Sequence, residues 1–217
     1  MTITQPSDIN NELTNFLRTH TTDPKNRATY ATTTLSGDGT TTEFEIGSGH
    51  AVQLISGVSV GGTDQNYGTD YDFNLKTTGS IPTVTFTTAI TSGGSAVVTY
   101  AHGEGWIFPD YPRKDISLDS YPRIGYSITS REEPLGTDGT ATEEELDIDL
   151  RVYATSNKQL TDLLQEVRSG LLANTNNFYH IPYLHPAGFT PRGMEPGRHD
   201  KISVQGLRAK GKFIIND

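Results

Sequence analysis

Apolar residues first recur along the chain at helical spacing. Ile9, Leu13, Phe16 and Leu17 share one face of a segment that Ser7 or Asp8 can cap and that Asp23-Pro24 closes, which predicts a short helix. The period then changes to two. From Ile81 to Thr88, Val84 and Phe86 face one way while Thr83, Thr85 and Thr87 face the other, the pattern of a strand with one wet side. Similar short strands are expected over Ala28–Leu35, Thr40–Ile46, Ala51–Val60, Asp70–Leu75 and Ser95–Tyr100. Between them stand turn residues: Ser36–Gly39, Gly61-Gly62, Lys76–Ser80 and Thr91–Gly94. Six short strands punctuated in this way predict a small β-sandwich or barrel.

The second half mixes types. Leu146, Ile148, Leu150 and Val152 alternate with polar residues along one strand. Ser156-Asn-Lys-Gln159 then fits a capping box, in which the Ser and Gln side chains satisfy orphan amides reciprocally. Leu160, Leu163, Leu164, Val167 and Leu171 follow at spacings of three and four, an amphipathic helix over Ser156–Ala173. A long loop rich in Asn, Pro and His is expected from Asn174 to Asp200, and two strands around Lys201–Gly206 and Lys212–Ile215 close the chain. Strand, helix and strands in this order predict an α+β arrangement with a helix on one sheet face.

Composition supports a division between the halves. Twenty-three of the thirty-one threonines lie in the first hundred residues, whereas Arg18, Lys25, Arg27 and Lys76 are the only Lys or Arg before Trp106. The shift places a boundary near Ala101–Gly105. A hydrophobic fraction of 33% makes for a lean core and thin layers. No apolar run is long enough to span a bilayer, and the N-terminus has neither the basic nor the apolar region of a secretory leader. With no cysteine, disulfides, thiolate metal sites and a cysteine nucleophile are excluded. A net charge of -9 argues against a surface built to neutralise nucleic-acid phosphates.

Several motifs invite an enzyme. Gly57-Val-Ser-Val-Gly61 matches the nucleophile elbow, but Gly62-Thr-Asp-Gln-Asn follows where that chemistry needs a helix, so the segment reads as a hairpin. His180, His185 and His199 lie in the Pro-rich loop, where Pro182 prevents two rings from sharing a helix face. Asp70 with Asp72, and Asp147 with Asp149, are i, i+2 pairs on the wet sides of strands, without the spacing of a calcium loop. Glu143–Glu145 reads as a solvated run, and Gly47-Ser-Gly49 lacks the Lys-Ser/Thr of a phosphate cradle. No catalytic, cofactor-binding or metal-binding residue is assigned. Two aromatic loops invite a partner instead: Gly105–Pro112 with Trp106, Phe108 and Tyr111, and 174–200 with Phe178, Tyr179, Tyr183 and Phe189. For the first, burial between the halves is an equal reading.

The order of elements in the C-terminal half resembles the tail terminator, or tail-completion, proteins of long-tailed phages and viruses. The matching pieces are the first helix, Pro122-Arg123-Ile124 entering a strand, Leu146–Tyr153 as a second strand, and the helix containing Gln159–Arg168. The resemblance implies an α+β fold, a mixed sheet with packed helices, to which residues 1–26 contribute the first helix and 103–217 the rest. Residues 27–102 depart from it and resemble the immunoglobulin-like decorations of virion proteins, implying an inserted all-β sandwich domain. Membership would imply a structural virion protein of the head–tail junction, assembled in the host cytoplasm, that needs no catalysis and no cofactor. Its partners would be further copies of itself in a hexameric ring, the tail tube protein, and a head–tail connector or adaptor, with DNA only passing through the lumen and no membrane involved. Open strand edges at Ile202–Val204 and Phe213–Ile215 would suit ring closure. The alternatives are another neck component, such as an adaptor or head-completion protein, and a glycan-binding adhesion protein using Tyr67, Tyr71 and Phe73 as an exposed platform. An esterase built on Ser59 comes last.

Overall fold

The computed structural model describes residues 6–47, 51–75, 81–109, 117–135, 141–191, 193 and 202–216. The chain divides into two compact units. One contains Pro6–Thr19 and Asp23–Gly105; the other contains His20–Thr22 and the chain from Trp106 onward. The described chain is mostly strand, with two α-helices and several sheets, an α+β composition.

The first unit holds strands β1 (Ala28–Ser36), β2 (Glu43–Glu45), β3 (Val52–Val60), β4 (Thr63–Asp64), β5 (Tyr71–Asn74), β6 (Thr83–Phe86) and β7 (Ser95–Gly103). They form two antiparallel sheets, ordered β1-β7-β3-β4 and β2-β6-β5. One apolar core serves both: Leu35, Val58, Val98 and Tyr100 come from the first sheet, and Phe73, Val84 and Phe86 from the second. Each expected strand is present; β2, β3, β5 and β6 are shorter than expected, whereas β1 runs one residue further and β7 three. Gly61 and Gly62 turn β3 into β4 with φ of 56° and 82°, the two positive values that a type I′ hairpin turn requires.

Helix α1 (Pro6–His20) was expected to join the α+β core, but Pro6–Thr19 group with the β-rich unit. The ties are polar. Asn15 bonds both backbone groups of Ile55 on β3, Arg18 donates to the Gln53 carbonyl, and the Leu75 amide donates to Asn11. An apolar stripe tells that a helix must bury one face, but not against what; the asparagines carry that information.

The second unit contains β8 (Ile107–Phe108), a 3-10 turn (Leu118–Ser120), β9 (Arg123–Leu135), β10 (Ala141–Ala154), helix α2 (Asn157–Ala173), β11 (Tyr183–Phe189) and β12 (Ser203–Asn216). Its five-stranded sheet is mixed, ordered β11-β12-β10-β9-β8, with only the β8/β9 pair parallel. Ser156 caps α2, its hydroxyl accepting from the Gln159 amide at 3.2 Å. The buried face of α2 (Leu160, Leu163, Leu164, Val167, Leu171) packs on β10, β11 and β12, and Leu146, Ile148, Leu150 and Val152 of β10 are buried to within 1%. Thr22 joins this unit through its amide, which donates to Glu166 of α2 at 2.7 Å.

Two expectations are corrected here. The closing strands are one continuous strand, β12, paired with β10 along its whole length and with β11 over Leu207–Lys212, so the expected break between them is absent; on the β11 side, among the described residues, Phe213–Asn216 has no paired strand and Val204 only a bridge to Gly193. Gly206 and Gly211, at the two ends of the expected gap, sit where a Cβ would meet Thr190 Oγ1 at 2.6 Å and Ile181 Cγ2 at 2.8 Å. The 174–200 segment, read as loop, contains β11; residues 194–200 of it, with His199, lie outside the described residues.

Candidate functional site

The five-stranded sheet has a second face, opposite α2. Because side chains alternate, every residue between the buried positions of β10 points to it: Glu145, Asp147, Asp149 and Arg151. In register on β12 stand Lys212 opposite Glu145, Lys210 opposite Asp147 and Arg208 opposite Asp149. All three cations are exposed, whereas Leu207 before them and Ala209 and Gly211 between them are buried. On the other flank Arg131 of β9 faces Glu145, followed by Thr129 and Ser127. The rim on β11 carries Tyr183 and His185, both exposed, with rings stacked at 6.3 Å and 6° between planes.

An anionic column thus lies beside a cationic one. Lys210 Nζ reaches Glu145 Oε1 at 3.0 Å, on the diagonal, and Asp147 Oδ1 at 3.8 Å. Arg151 donates twice to Asp149 Oδ2, at 2.9 and 3.1 Å. The Lys210 hydrogen bond holds the Glu145 carboxyl below its ordinary range, and the same bond, with the charge of Asp147, raises Lys210. Lys210 is exposed while Glu145, Asp149 and Arg151 are half-buried, so the pairs are partly screened and add modestly to stability. Their effect is to pattern the polar part of this face.

The other candidates disperse. Ser59 sits in β3 opposite Asp64 in the β3–β4 hairpin, not at a strand-to-helix turn. His180 is buried against the Tyr179 ring, while His185 is on the exposed rim. Among the described residues no three His, Asp or Glu side chains are grouped to hold a metal. Asp70 accepts from the amide and side chain of Asn66, and Asp72 from the Phe73 amide, so both carboxylates serve turn and strand geometry. Gly47 precedes Ser48 and Gly49, which lie outside the described residues, as does Tyr111. Trp106 and Ile107 are buried, and the Arg123 guanidinium lies 5.1 Å from the centre of the half-buried Phe108 ring. Tyr71 and Phe73 belong to the core, with Tyr67 packed against it, its ring 4.8 Å from that of Phe73. Burial raises the Tyr67 hydroxyl far above the usual range and pushes Tyr71 up to about 12.

The cationic column was missed by sequence reading, although its signal was present: Arg208, Lys210 and Lys212 at i, i+2, i+4 spell one wet strand face. Compared with known proteins, the chain matches no family model, no curated protein and no solved structure.

Proposed function

We propose that the chain is a structural virion protein of the head–tail junction, a subunit of a ring that caps the tail tube, ends its growth and docks to the head connector. The observation that carries the reading is the run from Arg123 to Asn216: a long β9–β10 hairpin, a capped helix laid on one face, and a return strand paired beside β10. That order is the C-terminal part of the one on which the resemblance to tail terminators rests; its remaining piece, the first helix, groups with the β-rich unit. The open face supports it, because a ring closes through heterologous contacts and adjacent anionic and cationic columns offer the two halves of such a contact. In this reading the β-rich unit is an immunoglobulin-like insertion that decorates the outside of the ring. A glycan platform on Tyr67, Tyr71 and Phe73 is the weaker reading, since the latter two rings are in the core.

The test is negative-stain microscopy with light scattering at low and at molar salt, with and without tail tube protein and, separately, portal protein. A ring with an open centre that binds the tube supports the terminator. Binding to portal alone moves the chain to another neck layer. A monomer at both salts that ignores both partners overturns the proposal.

A further inference from the structure

The sheet edges of this chain are not treated alike. β4, β2 and β5 are two, three and four residues long, too short to template another strand. Where β3 runs on past β4, Asn15 and Arg18 of α1 occupy its backbone groups at Ile55 and Gln53, and the Gln65 amide takes the Val58 carbonyl. In the other unit the edge strand β11 carries Pro186 and a register break between Pro186 and Gly188, and the part of β9 beyond β8, Tyr126–Leu135, includes Arg131-Glu132-Glu133-Pro134. Short length, cover, proline, bulge and charge are the usual devices for blunting an edge.

β1 has none of them. Its nine residues pair with β7 in unbroken register from Ala28↔Gly103 to Ser36↔Ser95, and no strand lies on its other side. It contains no charged residue and no proline. Ala28, Tyr30, Thr32, Thr34 and Ser36 are all exposed on one face, and Tyr30, at 64%, is the most exposed large apolar side chain among the described residues.

We propose that β1 is a docking edge for β1 of a second copy, the two strands pairing antiparallel about a two-fold axis at Thr32. The occupant follows from three observations. Pairing needs an edge of matching length, and among the described residues β1 is the sole long, neutral, uncovered one. A neutral strand opposes no like charges when it meets itself, where a charged one would. The two-fold also respects the faces: Tyr30 falls opposite Thr34 and Thr32 opposite Thr32, while Ala31 and Leu35 stay on the core side. Pairing by threonine and aromatic neighbours is of the kind that stabilises a ladder. This contact uses only the β-rich unit, so it goes beyond the ring reading and does not depend on it.

The chain lacks cysteine, so Thr32→Cys introduces a single thiol. Facing residues of an antiparallel pair lie about 4.5–5.5 Å apart at Cβ, close enough for a disulfide after slight adjustment. Mild oxidation is expected to convert the Thr32→Cys protein to a disulfide dimer, and to leave a Ser169→Cys control on the exposed side of α2 largely monomeric on a non-reducing gel. Thr32→Lys and Thr32→Glu are each expected to weaken self-association at least tenfold by sedimentation, with unchanged circular dichroism, and their equimolar mixture to restore it. Absence of the crosslink in folded protein, or a Thr32→Lys variant that associates like wild type, overturns the proposal. Any ring built by the other unit survives Thr32→Lys, so the two readings fail separately.

Discussion

Asn15, on a helix, completes the hydrogen bonding of Ile55, on a strand: its Nδ2 donates to the Ile55 carbonyl at 3.2 Å and its Oδ1 accepts from the Ile55 amide at 2.8 Å. A side-chain amide has the same donor and acceptor as a peptide, so here it stands in for a neighbouring strand. Asn15→Ala leaves both groups of Ile55 without that partner, at a cost of about 1–3 kcal/mol. Asn15→Asp keeps the acceptor but sets a carboxylate against the Ile55 carbonyl, and should do no better. Urea denaturation of the intact protein measures the loss, and faster amide exchange at Ile55 locates it.

The same relationship decides where the β-rich unit can be cut. A fragment of residues 27–105 lacks α1 and uncovers β3, whereas residues 6–105 keep the cover. The longer fragment is expected to give dispersed amide resonances and the shorter one to aggregate. Equal solubility and dispersion for both would show that α1 is dispensable there.

Asp23 and Arg27 form an ion pair at 2.7 Å with side chains only 10% and 8% exposed. Burial works against the charge on Asp23, but hydrogen bonds from the Arg27 side chain, the Arg27 amide and the Lys25 amide outweigh it and hold the carboxyl below its ordinary value. A carboxylate depressed by folding contributes stability that is present above its unfolded pKa, near 3.8, and lost as pH falls through the lower folded value. Asp23→Asn is expected to cost about 3 kcal/mol at neutral pH and to flatten the acid limb of the stability curve below pH about 4. Denaturation midpoints of both proteins across that window test the sign.

Phe73 lies 5% exposed among Val84, Phe86 and Tyr71. Phe73→Ala is expected to destabilise the β-rich unit by about 3–5 kcal/mol, as a core residue would. A glycan platform would instead lose binding with its melting curve unchanged. Ser59→Ala, in the hairpin, is expected to shift stability by no more than about 0.5 kcal/mol.

The charged face separates assembly from folding. Lys210→Glu removes the partner of Glu145 and Asp147 from an exposed position, so the melting temperature should barely move. In the proposed ring assembly, yield should fall and its salt dependence change, since patterned charges govern association and partner choice more than folding. Unchanged assembly across Lys210→Glu and Arg208→Glu would remove this face from the contact.

Where a residue's own neighbours dictate its state, the sequence was readable. The period of Leu146–Val152 and the Ser156 cap with its leucine stripe fixed β10 and α2, and Gly61-Gly62 announced a hairpin. What failed was punctuation. Pro186 read as a loop marker, yet an edge strand tolerates proline because one row of its amides is unpaired anyway. The gap expected between Gly206 and Lys212 is absent: Gly206 and Gly211 make room for Thr190 and Ile181 beside an unbroken strand. The partner of α1 was illegible for another reason: it depends on which elements lie side by side, which no local window contains. Arg208, Lys210 and Lys212 were legible as one wet strand face, and only their place beside Glu145 and Asp147 needed the sheet order.

One sealed edge and one open edge give the β-rich unit the chemistry of a monofunctional monomer. Such a species couples once and stops, because the product exposes only capped ends; it shows no critical concentration, no lag and no growth from seeds. In the proposed pairing, uncapping β3 by losing both Asn15 and Arg18 would raise its functionality from one to two. Strands that pair once through β1 would then propagate, and two side chains of α1 would be what separates a dimer from a fibre.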